Sequence, residues 1–149
     1  MNMKKILLIA SLLLICATSF GQILKPVKWS YASKRNDKEA TVFIKATIEK
    51  GWHLYSQTVP DGGPEPTSFS FGASKDYKLK GKTSEPKPIT RFESYFDMKV
   101  SYFENSVVFQ QMITQVVGSP TVKGKVLFMA CNDMQCLQPE EIAFTIPVE

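Results

Sequence analysis

The chain has 149 residues, 44% of them hydrophobic and 21% charged, with 9 Pro, 8 Gly and 3 Cys. That make-up excludes a disordered segment, a collagen-like repeat and a multi-pass membrane protein. Removing Lys4 and Lys5, which lie in a segment expected to be cleaved, from the 18 basic residues leaves 16 against 14 acidic ones, too even a balance for a nucleic-acid binder.

Met1 to Lys5 is a short positive region, Ile6 to Ile15 is an apolar run of 10 residues, and Ala17 to Gln22 is small or polar, with Ser19 and Gly21 placed before a cut. This is the pattern of a secretory signal peptide over residues 1–21; a bilayer span needs about 20 apolar residues. Lipid attachment at Cys16 is disfavoured, because Ile15 stands where lipoprotein signals carry a small residue. The expected mature chain is one domain, Gln22 to Glu149, in the periplasm or secreted. A chain of that length buries roughly two thirds of its unfolded surface and can hold its fold without staples.

After residue 22, apolar residues recur with a period of two rather than at helical spacing. Val27, Trp29 and Tyr31 form one such set, and Ala40, Val42, Ile44, Ala46 and Ile48 a second, each placing its apolar side chains on one sheet face. Further strands are expected at His53 to Gln57, Ser68 to Phe71, Tyr77 to Leu79, Val100 to Phe103, Val107 to Ile113, Lys123 to Ala130 and Ile142 to Val148. Short strands punctuated by turn signals predict an all-β sandwich. Thr58 to Thr67, with Pro60, Gly62, Gly63, Pro64 and Pro66, must be a loop. A second loop is expected at Thr83 to Asp97, whose Phe92, Tyr95 and Phe96 would either tuck under it or form a lid.

Most site chemistries are eliminated by what is missing. His53 is the only histidine, so a zinc site lacks ligands, and a hydrolase with a histidine base would have to use a residue between Trp52 and Leu54 with no evident orienting partner. His53 is therefore expected on the surface or at a rim. Gly118 to Lys125 lacks the spacing of a phosphate loop. Glu140 and Glu141, adjacent on an expected strand, point to opposite faces.

Cys131 and Cys136 remain, with Asn132, Asp133, Met134 and Gln135 between them. On a helix, residues five apart diverge by about 140° and the sulfurs could not meet. On a hairpin with a four-residue loop they face each other with Cα atoms about 4.5 to 5.5 Å apart, within disulfide range, and Asn132 and Asp133 favour the turn. An exported chain meets an oxidising environment, so a bridge is expected. Closing so short a loop restricts the unfolded chain by only about 2 kcal/mol, which weakens a purely structural role without removing it. From the residues alone, staple and exchange-active pair both stand.

Three stretches resemble the N-terminal periplasmic domain of the thiol:disulfide interchange protein DsbD. Val126 to Glu140, VLFMACNDMQCLQPE, is similar to the family's strand, cysteine, polar turn, cysteine and proline-glutamate. Lys50 to Tyr55, KGWHLY, resembles the segment beside its cysteines, and Arg91 to Tyr102 resembles its cap loop, an aromatic segment that shields the disulfide until a partner docks. The resemblance implies an immunoglobulin-like β-sandwich in which Cys131 and Cys136 exchange disulfides, His53 and Tyr55 line them, and Phe92, Tyr95 or Phe96 caps them. It also implies thioredoxin-fold periplasmic partners, a membrane-embedded reductase as electron source, which for this chain would be a separate polypeptide, and no bound cofactor. Departures are the four-residue cysteine spacing where one common form has five, Gln138 where the family often has proline, and His53 where it often has tyrosine. The competing expectation is a non-enzymatic exported sandwich that binds a protein or glycan and carries a fixed disulfide.

Overall fold

The structure, a computed structural model, describes residues 23 to 149. The expected signal peptide, its cleavage point and Cys16 lie outside the described residues. Among the described residues there is no helix, hence none long and apolar enough to cross a membrane, and every pairing between strands is antiparallel.

Three sheets carry the eleven strands. The first joins β1 (Val27–Asn36), β2 (Glu39–Ile48), β8 (Ser106–Thr114) and β5 (Lys78–Ser84) in that order. The second joins β11 (Glu140–Pro147), β9 (Thr121–Phe128) and β4 (Ser68–Phe71). Between them lies the main core, built by alternation: Val42, Ile44 and Ala46 from β2 and Val107, Phe109 and Ile113 from β8 meet Val122, Val126, Phe144 and Ile146. Aromatics join the two sheets, with Trp29 edge-on to Phe128 at 5.2 Å and Phe69 against Phe109 at 4.9 Å. This is the immunoglobulin-like sandwich expected from the sequence.

The third sheet, β10 (Ala130–Cys131), β3 (His53–Tyr55), β7 (Met98–Phe103) and β6 (Ile89–Glu93), closes one end. Its inner phase, Leu54, Phe103 and Ala130, enters the main core, while its other phase builds a satellite cluster of Tyr55, Val100, Tyr102 and Cys131. Leaving that sheet, the chain is tied down at Ser56, whose hydroxyl donates to the Glu85 carboxylate, and Thr67 Oγ1 donates to the Tyr55 carbonyl at 2.5 Å.

Four expectations change. Thr83 to Asp97 is not one loop: the end of β5 and all of β6 fall inside it. Strand β6 is an edge strand with little burial, so its sequence carries no alternation, and Pro86 and Pro88 break only the connection before it. Lys123 to Ala130 is two strands, divided at Met129, with β10 passing to a different sheet. Strand β3 stops at Tyr55, and β11 begins at Glu140, where Glu141 pairs with Lys125 at 2.7 Å.

Candidate functional site

The cysteines sit where the chain leaves β10. Two residues pair with β3, Ala130 opposite Leu54 and Cys131 opposite His53, and the chain then reverses through Asn132 to Gln135. Asn132 organises the reversal: its Oδ1 accepts the Met134 and Gln135 amides at 2.9 and 2.8 Å, and its own amide donates to the Gln135 carbonyl at 2.9 Å. Cys136 thereby returns opposite Cys131 as an antiparallel bridge, the sulfurs bonded and the Cα atoms 4.1 Å apart, closer than the hairpin estimate. Cys131 is 1% exposed, whereas Cys136 is half-buried.

Strand pairing decides what surrounds the sulfurs. Directly opposed residues share a face, as do residues two apart, so Cys131, His53, Tyr55 and Tyr102 stand on one side of the sheet. The His53 ring lies 4.6 Å from Tyr102 and 5.2 Å from Tyr55, with Nε2 3.2 Å from the Tyr55 hydroxyl and 3.6 Å from Glu93 Oε2. The expectation of a surface or rim histidine without a partner is thus corrected: His53 is 9% exposed and oriented by Tyr55, with the Tyr102 ring of β7 and the Glu93 carboxylate of β6 against it.

Burial holds the His53 pKa below its ordinary value, against the pull of Glu93, Glu104 and Asp133. Burial, reinforced by Glu93 and Tyr102, pushes the Tyr55 phenol far above its ordinary value, so Tyr55 acts as a neutral hydrogen-bonding and packing group. Tyr102 is raised too, chiefly by burial and against the pull of Arg91. Among the described residues no cluster of three or more His, Cys, Asp or Glu could hold a metal ion.

The β6–β7 hairpin carries the three aromatics expected to form a cap. Its turn, Ser94 to Asp97, is closed by the Phe96 amide donating to the Glu93 carbonyl at 3.2 Å, with Asp97 in the left-handed region at φ 52°. Phe96 packs against the disulfide-bearing cluster and meets Tyr55 edge-on at 6.2 Å, while Tyr95, 73% exposed, lies over Phe96 at 5.1 Å. Phe92 does not join them. It pairs with Lys99, out of phase with Val100 and Tyr102, stays 59% exposed, and is absent from the cluster around the disulfide. Of the three expected cap aromatics, the structure brings Phe96 to the cluster, Tyr95 on top of it, and Phe92 only to the wall of a neighbouring cleft.

Sequence reasoning missed Glu93, placed beside His53 by the same β6 register, and the residues packed beside Phe96 on the cluster. Met98 and Val59 pack on the cluster, and the Thr58 to Thr67 loop passes so close that a Cβ at Gly63 would lie 2.8 Å from Val59 Cγ1 and 3.0 Å from Met98 Sδ. The density of Gly and Pro in that loop was the available signal. A cleft of about 570 Å³, lined in part by His53, Arg91, Phe92, Glu93 and Asp133, opens beside the cysteine turn. Met134 is 88% exposed in that turn.

No curated protein sequence matches the chain significantly. Solved structures do. The N-terminal domain of DsbD from Neisseria meningitidis in its reduced form is 15% identical with a TM-score of 0.60, covering 87% of this chain and 93% of that one. A complex between the DsbD N-terminal and PilB N-terminal domains from the same organism matches at 13% identity and TM-score 0.58, covering 84% and 88%. The N-terminal periplasmic domain of ScsB from Proteus mirabilis matches at 13% identity and TM-score 0.59, covering 86% of this chain and 49% of that one. At these identities the shared property is the fold. The family described as thiol:disulfide interchange protein DsbD, N-terminal, matches residues 21–147. With a match of that extent joined to the sandwich fold, the chain belongs to the DsbD N-terminal domain family.

Proposed function

We propose that the chain is an exported dithiol–disulfide exchange domain, comprising residues 22–149 after removal of a signal peptide at 1–21. Cys131 and Cys136 would carry electrons from a membrane-embedded reductase to thioredoxin-fold proteins in the periplasm. The observation that carries this reading is the asymmetry of the disulfide: one cysteine is sealed, the other is half-buried, and a single turn of chain bearing Phe96 packs on the cluster that contains Cys131. The family's description and the complex of a DsbD N-terminal domain with a PilB domain support it.

Cys136 is then the sulfur a partner reaches. In the reduced protein its thiolate attacks a partner disulfide, forming an intermolecular S–S bond and releasing the partner's other sulfur as a thiolate. The Cys131 thiolate next attacks Cys136 Sγ, restoring the internal bond and expelling the partner's second thiolate. Two electrons have passed to the partner, and the reductase returns two by the same steps in reverse. His53 and Tyr55 position the Cys131 side of the pair, Phe96 with Tyr95 over it caps the site against stray thiols, and no cofactor is required.

The test is trapping in the periplasm of a host expressing the full chain. Cys131→Ser should accumulate mixed disulfides through Cys136 with a thioredoxin-fold protein, and Cys136→Ser should accumulate far fewer. Adducts from neither variant, with a reduction potential below about −300 mV, would establish a fixed staple and overturn the proposal.

A further inference from the structure

The only histidine of the chain is buried beside the stem of the cap, and the exchange steps above use it only to position the Cys131 side, not to take up a proton. Its Nε2 has one partner within hydrogen-bond distance, the Tyr55 hydroxyl. The Tyr55 side chain, fully buried, has His53 as its hydrogen-bond partner and bears edge-on against Phe96 of the cap turn. In the neutral tautomer that leaves Nε2 unprotonated, which is taken for the closed arrangement, the Tyr55 hydroxyl donates to it. A proton on that nitrogen forces the hydrogen bond to reverse and places a charge on a ring that is only 9% exposed. The carboxylate of Glu93, at 3.6 Å, is too far away to accept a good hydrogen bond.

The remaining charged and titratable groups around the ring do not supply one. Glu104, which follows β7, and Asp133, in the cysteine turn, act on it only through space. Arg91 on β6 and Lys50 before β3 line the same cleft with the opposite sign, and the Tyr102 phenol packs on the ring face. The cleft wall nearest the cap is Arg91 to Ser94, so lifting the turn widens the access to water that the ring, 9% exposed, has in the closed arrangement.

We propose that His53 is a proton-sensitive positioning residue for the cap: protonating it favours the lifted turn and uncovers the disulfide. The consequence for electron transfer rests on the exchange reading above; the coupling between His53 and the cap does not. The sign follows from linkage. A base whose pKa is lower in the closed than in the lifted arrangement favours closure at a pH above the lifted-state pKa. It loses that preference as the pH falls through the closed-state value. Burial as the leading influence on His53 gives that order.

The experiment uses the oxidised protein and reads the cap without redox chemistry. Hydrogen exchange of the Phe96 amide, which bonds the Glu93 carbonyl, is followed by NMR from about pH 4.5 to 8 in the wild type, His53→Phe and Glu93→Gln, and the lone histidine ring is titrated in the same samples. The wild-type to His53→Phe ratio of exchange rates should rise on the order of threefold as the ring takes up its proton. In Glu93→Gln, which removes a charge that favours the imidazolium, the rise should move to lower pH. A ratio that stays flat through the titration, or falls in acid because a charged His53 grips Glu93, overturns the proposal. If His53→Phe does not fold, the Phe96 exchange profile of Glu93→Gln against wild type decides alone, since an unmoved transition contradicts the coupling. Failure of the exchange reading shows separately, as a disulfide with a staple's reduction potential.

Discussion

Replacing Phe96 by alanine tests the cap at its centre. The ring meets Tyr55 edge-on at 6.2 Å and Tyr95 at 5.1 Å, and it is partly buried against the cluster that holds Cys131. An aromatic pair contributes about 0.5 to 1.5 kcal/mol beyond area burial, and half-burying a large apolar side chain adds roughly 1 kcal/mol. Closing the turn should therefore lose about 1.5 to 2.5 kcal/mol, which raises the open fraction by roughly tenfold to seventyfold. Tyr95 is 73% exposed, so Tyr95→Ala alone should change the fraction less than about threefold. Phe92 stands out of phase with the cluster, so Phe92→Ala serves as the control and should change nothing measurable. The assay is the second-order rate of alkylation of the reduced protein by a small thiol reagent at fixed pH, repeated as reduction of the oxidised protein by dithiothreitol. Phe96→Ala and the double Tyr95→Ala, Phe96→Ala variant should both be faster, the double variant only slightly more so. Equal rates across the series, or an effect of Phe92→Ala as large as that of Phe96→Ala, would refute the assignment of the cap.

Asn132→Ala removes the acceptor of two amide hydrogen bonds in the cysteine turn and should destabilise the reduced protein by about 1 to 2 kcal/mol in denaturant titration. The same change in the oxidised protein should be smaller, because the covalent bond already holds the loop closed. Gly124→Ala should be worse than either: the new Cβ would lie 2.4 Å from the Ser70 carbonyl oxygen and 2.5 Å from Phe144 Cζ, in a row where Phe71, Gly124 and Phe144 stand in register. A loss of about 3 kcal/mol in thermal or denaturant unfolding is expected, and a loss under about 1 kcal/mol would mean the sheet yields there more readily than its register implies.

How much of this could be read in advance differs from strand to strand. The alternation of Ala40, Val42, Ile44, Ala46 and Ile48 was legible because one face of β2 is buried along its whole length. Strand β6 was not, since four of its five residues are exposed and burial is what writes a pattern into a strand. The break at Met129 was equally silent: the apolar run continues through it while the chain changes sheets. Within the site, the reach between Cys131 and Cys136 followed from spacing and turn chemistry, since both depend on a few consecutive residues. The position of His53 did not, because its burial is imposed by a hairpin distant in the chain.

By itself, then, the sequence determined the strand-rich class, the phase of the buried strands, and the closeness of the two cysteines, all consequences of local stereochemistry and of apolar residues seeking one face. Tertiary structure alone decided which face of β3 is covered, that Phe96 and not Phe92 reaches the cluster, and that Glu93 comes to His53. Those facts depend on the register between β6 and β7 and on where that hairpin folds, which the residues of neither strand specify alone.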